Sequence, residues 1–325
     1  MNKLVVGTLA SLMMTSAASA ATLTLNETLG IFSVVTQDFS GNSESEGRVF
    51  IDGDATGTIN VNDRVNGDNG DGFDDLIITG DATNAQIRVG NSGNLTVGGD
   101  LINSGLQLNG AVQTATLGGQ RSGGNFNQNE DILIENATNL NIPDVDFVQY
   151  AAESLELAAR GGDAATTNRS GQTVFGGSEV LNVSFADLAS GTAVFDLLDG
   201  GPLLINVSGT SGSVGLNFSG FNGVQALDAA SSVVWNFYEA TDITLGSAWF
   251  GHIVAPNADI LFNSSNEGNV IAAGVFVNGG EQHPLAFTGD VSIATTPAEV
   301  PLPAGIWLML SGLGVLGASR TRRKA

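Results

Sequence analysis

Apolar positions along this chain come in short runs broken by Gly, Asn, Asp and Pro, and they rarely hold a helical period. Leu23-Thr-Leu25 and Ile31-Phe-Ser-Val-Val35 read as two strands bounded by turn formers. Val49-Phe-Ile-Asp-Gly-Asp-Ala-Thr56 is repeated as Leu76-Ile-Ile-Thr-Gly-Asp-Ala-Thr83, and Leu95-Thr-Val-Gly-Gly-Asp100 and Thr116-Leu-Gly-Gly119 continue the repeat more weakly. The marker glycines Gly53, Gly80, Gly99 and Gly119 lie 27, 19 and 20 residues apart. A strand-turn unit repeated at that interval predicts stacked coils, with each glycine at a corner that needs φ > 0 or a close backbone approach. The long first interval marks Asp63–Asp75 as an acidic insertion on one coil.

The second half carries its own pattern. Four runs share an apolar-Asn-apolar core: Leu181-Asn-Val-Ser184, Ile205-Asn-Val-Ser208, Leu216-Asn-Phe-Ser219 and Trp235-Asn-Phe-Tyr238. Their asparagines should point outward or form side-chain ladders. Ala240–Leu245 is echoed by Asn257–Phe262, and Ile253-Val-Ala255 by Ile271-Ala-Ala273, at intervals of 17 to 18 residues. One segment is helical, Val145–Arg160, with Phe147, Ala151, Leu155 and Ala158 on one face and Val148 beside them. Asp144 can cap it and Gly161-Gly162 ends it. The fold expected is all-β: a right-handed β-solenoid (β-helix) with one flanking α-helix at about 145–160, both halves in one stack, plus a C-terminal hydrophobic helix.

Composition narrows the partners. The chain has 325 residues, 11 basic and 33 acidic, and no cysteine. Five of the basic residues (Lys3, Arg320, Arg322, Arg323 and Lys324) lie in the two terminal segments, so the mature body carries 6 − 33 = −27. Such a body has no means of neutralising nucleic-acid phosphates. It suits a solvated secreted protein, and it attracts divalent cations. Without cysteine, an exported chain is stabilised by its core, by repetition or by bound metal.

Both ends read as addresses. Residues 1–20 have Lys3, an apolar run and a small-residue end, a signal peptide with Ala18 and Ala20 at the cleavage site. Residues 21–290 form the body and 291–299 a polar linker. At the C-terminus, Val300-Pro-Leu-Pro-Ala304 precedes an uncharged apolar segment and Arg320-Thr-Arg-Arg-Lys324. The apolar stretch is at the short limit of a membrane span, and its basic end should stay cytoplasmic. This order of parts over 300–325 resembles the VPLPA variant of PEP-CTERM sorting signals. The resemblance implies recognition by an exosortase-type enzyme at Val300, Pro301, Leu302, Pro303 and Ala304, transient membrane anchoring, and delivery to the surface of a Gram-negative cell or its polysaccharide matrix.

Within the body, Leu29-Gly-Ile-Phe32, Glu46-Gly-Arg-Val49 with Gly53-Asp54, Trp235–Ala240, and Gly251-His-Ile-Val-Ala-Pro-Asn-Ala258 with Gly268-Asn-Val-Ile271 resemble the choice-of-anchor A domain. That resemblance implies an adhesin-like domain paired with an anchor, and it supplies no catalytic residues.

The sharpest local chemistry is Asp63–Leu76. Alternating Asp, Asn and Gly can wrap oxygen ligands around Ca²⁺. Asn69-Gly-Asp-Gly-Phe-Asp-Asp-Leu76 resembles the calcium loop of FG-GAP-type repeats, with Gly67 where a first Asp is expected. Asn66, Asp68, Asn69, Asp71 and Asp75 are the candidate calcium ligands, and a solvated acidic loop is the alternative. Calcium is the one cofactor candidate. His252 and His283 are the only histidines; a metal ligand or base is one use, and His252, amid apolar residues, fits an architectural one. No catalytic motif is present. The functional expectation is an exported, non-enzymatic adhesin-like structural protein whose partner is extracellular polysaccharide. A polysaccharide-active enzyme and a solid-surface, ice-like binder are the alternatives; the latter needs a regular row of outward Thr, which the sequence lacks.

Overall fold

The computed structural model describes residues 22–291, apart from 42–43, 63–71, 111–112, 127–129, 198–200 and 222–228. The signal segment with Ala18 and Ala20, the linker, the motif Val300–Ala304 and the hydrophobic segment after it lie outside the described residues, as do Asn66, Asp68, Asn69 and Asp71.

The body is mostly β, and its sheets are almost wholly parallel. One long sheet orders its strands Leu133–Ile134, Ala115–Leu117, Leu95–Val97, Leu76–Ile78, Val49–Ile51, Val34–Gly41, Val270–Val277, His252–Phe262, Val233–Asn236, Leu203–Ser208, Val180–Ser184, Asp163–Ala164. From Leu76–Ile78 to Ala115–Leu117 the chain visits two smaller parallel sheets between consecutive strands, both times in the same order. One is built from Ala82–Thr83, Leu101–Ile102 and Arg121–Ser122. The other is built from Thr58–Val61, Gln86–Val89 and Gly105–Leu108. Each circuit returns the chain to the long sheet one strand further on.

The Gly-Asp repeat makes the corner of each circuit. Gly80 N–H donates to Gly53 O, Gly99 N–H to Gly80 O and Gly119 N–H to Gly99 O, each at 2.9 Å. Beside this column Asp54, Asp81 and Asp100 accept the N–H of Asp81, Asp100 and Gln120 at 2.8, 2.7 and 2.7 Å. A Cβ at Gly99 would run into Asp81 Oδ1 and lie 3.0 Å from Gly80 O, so close approach explains this glycine. Only Gly53 of the column has a left-handed φ, +143°.

The halves do not follow one another along the stack. The chain enters at its middle, at Val34–Gly41, and winds outward to Leu133–Ile134. It then descends. Asn136 N–H bonds Gly119 O, Asn141 Nδ2 donates to Gly72 O, and Leu23 N–H bonds Asp144 O. The second half starts at the opposite end, at Asp163–Ala164, and winds back until Val270–Val277 pairs with Val34–Gly41.

The descent ends in the helix Phe147–Ala158, which lies shorter than the expected Val145–Arg160. Asp146, not Asp144, caps it, accepting from Val148 N and Gln149 N. The buried face is Phe147, Tyr150, Ser154 and Leu157, while Val148 and Leu155 are 80% and 55% exposed. Of the residues expected to face the sheet, Phe147 does so and Ala151 and Ala158 are half-buried, while Leu155 and Val148 point away, because the helix docks on asparagines. Asn182, Asn206 and Asn236 occupy one row of the long sheet. Asn236 Nδ2 donates to Asn206 Oδ1 and to Ser154 O, Asn206 Nδ2 to Leu157 O, and Asn182 Nδ2 to Gly162 O. The expected ladder thus exists, and it serves as the helix seat. Asn217, in the third run, lies on a separate sheet beside Thr192.

Two further helices depart from the expectation of one. Leu25–Ile31, expected as parts of two strands, is helical and closed by a capping box between Thr24 and Glu27. Its Thr28 Oγ1 lies 2.6 Å from Tyr150 Oη. Phe185–Leu188 is a single helical turn.

This helical cover, with the descending segment, buries the outer side of the long sheet at Val35, Phe50, Ile77, Val254 and Ile271, all at most 1% exposed. Burial on both sides is why Val49-Phe-Ile51 and Leu76-Ile-Ile78 are continuously apolar rather than alternating. One core runs the length of the stack, aliphatic in the first half and aromatic in the second, around Phe175, Phe195, Trp235 and Trp249. The circuits from Leu181 to Ile205 and on to Trp235 take 24 and 30 residues and those on to Ile253 and Val270 take 18 and 17, against 19 and 20 from Leu76 to Leu95 and Ala115.

Candidate binding face

The sheet of Thr58–Val61, Gln86–Val89 and Gly105–Leu108 alternates cleanly. Ile59, Val61, Ile87, Val89, Leu106 and Leu108 point into the core, which turns Thr58, Asn60, Gln86, Arg88 and Gln107 outward. Ser45 continues the face. It bridges Val61 on one side and Gln282 on the other, and Gln282–His283 pairs with Asn266–Glu267. Two outward rows result from that register. One runs Gln107, Arg88, Asn60, Glu44, Glu281; the other runs Asn62, Glu46, His283, Glu267.

The first-half end of this face is an open groove of about 730 Å³ lined by Asn60, Asn62, Arg88, Gln107 and Asn109, with Glu44 at its edge accepting from Asn62 Nδ2 at 3.3 Å. A smaller hollow of about 330 Å³ adjoins it, lined by Thr58, Gln86 and Asn125, and shares Arg88 and Gln107. Amides offer a donor and an acceptor each, the complement of a sugar hydroxyl pair. Arg88 is exposed, and among the described residues no carboxylate pairs with it. In so acidic a body that leaves one fixed cation standing free on an amide floor.

The other end of the face is acidic. His283 Nδ1 lies 2.6 Å from Glu267 Oε1, and Nε2 lies 3.2 Å from Glu281 Oε2 and 3.5 Å from Glu46 Oε2. Burial lowers the affinity of His283 for its proton, but the hydrogen bonds its ring donates to Glu267 and Glu281 and the charges of Glu267 and Glu46 outweigh it, and its pKa is raised. The family-like motif explains how the cluster closes. A Cβ at Gly47 would lie 2.7 Å from Pro284 Cβ, so only glycine lets the segment after Glu46 pass His283 and Pro284 this closely.

The other candidate residues have structural work. His252 is fully buried; its Nδ1 accepts from Asn269 N–H at 3.0 Å, and Nε2 lies 3.2 Å from Ser231 O. That pairing is satisfied by one neutral tautomer, and burial pushes the pKa down to about 4. Gly251 before it has φ +107°. Of the candidate calcium ligands only Asp75 is described; it is buried, and its Oδ2 accepts Asn94 N–H at 2.8 Å. Asp74 instead accepts from Thr96 Oγ1. The echo in the last coils is one residue out: Ile253 pairs with Val270, not Ile271, while Asp242–Leu245 pairs with Asp259–Phe262 as expected. Sequence reasoning missed the amide rows of the face because Asn60, Arg88 and Gln107 meet only through the coil register. Alternation in Thr58–Val61 and Gln86–Val89 was the available signal.

The described body is thus built of parallel sheets with a broad polar face, and its buried histidine, His252, is engaged in the architecture. The chain is a member of the family described as "Putative Ice-binding-like adhesive domain", which matches residues 26–284. A crystal structure of an ice-binding protein from an Antarctic ascomycete, Antarctomyces psychrotrophicus, is 19% identical, with 66% of this chain and 94% of that one covered at a TM-score of 0.21. No curated protein matches the chain. Among the described residues no helix is long and apolar enough to cross a membrane.

Proposed function

We propose that this chain is an exported, surface- or matrix-anchored adhesin-like structural protein whose body is a right-handed β-solenoid of the choice-of-anchor A type. In this reading the signal peptide exports it, and the Val300–Ala304 motif is the target of an exosortase-type enzyme at the envelope of a Gram-negative cell. The hydrophobic helix holds it in the membrane until then, and the displayed body meets extracellular polysaccharide. The observation that carries the reading is the amide-floored groove around Arg88, wide and shallow enough for an extended chain to lie across several coils. Polar contact spread over such a face gives adhesion through many weak sites. The acidic loop with Asn66, Asp68, Asn69, Asp71 and Asp75 is proposed as a calcium loop from its sequence, and calorimetric titration against a Mg²⁺ control tests it.

The test of function is binding of the purified chain to immobilised acidic and neutral exopolysaccharides, with release of sugar products followed in parallel. Retention without turnover is expected. Arg88→Glu should cut retention on the acidic polymer at least tenfold and leave the neutral polymer nearly unchanged, and added salt should weaken the wild type on the acidic polymer. Product release would establish an enzyme instead. The family description favours one second reading, a solid-surface, ice-like binder. Thermal hysteresis in the purified chain would support it, although the outward rows mix Gln, Arg, Asn and Glu rather than repeating Thr.

A further inference from the structure

The cluster around His283 is more than a concentration of acid. Three carboxylates surround one imidazole and come from separate segments, Glu46 from the segment before Val49–Ile51, Glu267 from the strand Asn266–Glu267, and Glu281 from just before the strand Gln282–His283 that carries the imidazole. Glu267 takes the Nδ1 side of the ring, which turns Nε2 towards Glu46 and Glu281. A carboxylate on one imidazole nitrogen, with the other nitrogen presented to further ligands, is the arrangement that orients metal-binding histidines. Three ligand atoms, one each from Glu46, Glu281 and His283, lie within 4.8 Å of one another. Tetrahedral zinc with bonds of about 2.0–2.2 Å sets its ligands roughly 3.3–3.6 Å apart. The Nε2 separations of 3.2 and 3.5 Å match that edge.

We infer that Glu46, Glu281 and His283 bind a zinc-type divalent cation, with Glu267 positioning the imidazole. Charge argues the same way. Three carboxylates around one imidazole concentrate negative charge that a dication offsets. The imidazole selects zinc-type ions over calcium, which prefers oxygen ligands throughout. Glu46 is 1% exposed and Glu281 41%, so the ion has a buried anchor and an entry from solvent. The site sits where the chain's last coil meets its first, so the ion fastens the seam in a protein with no cysteine to do so.

The experiment titrates Zn²⁺ into the full chain after EDTA treatment, with Co²⁺ absorption as a readout of geometry. One ion per chain, a tetrahedral cobalt spectrum, a rise in melting temperature with Zn²⁺ and no displacement by tenfold excess Ca²⁺ are expected. Glu281→Gln and His283→Ala should each lose the site, and Glu267→Gln should weaken it by about 10- to 100-fold. Because Glu281 is half exposed, its variant keeps the fold, and circular dichroism checks this. Absence of stoichiometric zinc in the wild type, or unchanged affinity in Glu281→Gln, overturns the inference.

Discussion

At the residue scale the two histidines have opposite electrostatics in one chain. His252 is locked neutral by Asn269 N–H and by its burial, with a pKa of about 4. The unfolded chain takes up that proton from about pH 6.5 downward and the folded chain does so only near 4. Folding stability should therefore fall as pH drops through that window, by about 3 kcal/mol from this residue. His283 has a raised pKa, so its contribution is present below about 6.5 and fades as pH rises through its folded value. Urea denaturation between pH 7.5 and 4.5 checks the first effect, and in His252→Gln the fall in stability due to His252 should vanish. The role of His252 was legible in its apolar surroundings. The neighbourhood of His283 was not, because Glu46 stands 237 residues (283 − 46) before it and only coil packing brings the two together.

Single elements are held by repeated small devices. The Gly-Asp column ties each coil to the next, so Gly99→Ala forces a methyl against Asp81 Oδ1 and the Gly80 carbonyl. Such overpacking costs about 1–3 kcal/mol, read from the denaturant midpoint, while the same change at Gly161, where a Cβ meets nothing within 4 Å, is felt only through its φ of +73°. The helix Phe147–Ala158 depends on its asparagine seat. Asn206→Leu leaves Leu157 O and the Asn182 and Asn236 amides short of partners and should destabilise by about 2 kcal/mol. Limited proteolysis should then cut first at the helix. A change outside the ladder, Asn217→Leu, should be near neutral. The helix face was misread from sequence because periodicity counts apolar residues, and this helix buries Ser154 against an amide. The helix Leu25–Ile31 was misread although Thr24-x-x-Glu27 carried the capping-box signal; the apolar runs around it imitated strands.

At the scale of the whole molecule, the chain begins in the middle of its own stack. The seam between Val34–Gly41 and Val270–Val277 is paired over seven residues, whereas the terminal strands Leu133–Ile134 and Asp163–Ala164 are two residues each. Hydrogen exchange should therefore be slowest at the seam and fastest at the ends of the stack. Exchange at the seam as fast as at the ends would mean two separately stable halves. Short terminal strands also limit the edge available for pairing with another copy.

Taken alone, the sequence determined the strand character, the coil interval and the corner glycines, because these follow from spacing and from what glycine alone permits. It also carried the family-like motifs, in a chain whose residues 26–284 match the adhesive family. Only the tertiary structure decided the order of the coils, the face of the helix and the membership of the outward polar face. Those depend on which coil lies beside which, and a parallel repeat accepts many such stackings with equal local satisfaction. The descending segment from Asn136 to Asp144, tied to Gly119, Gly72 and Leu23 in turn, selects one of them.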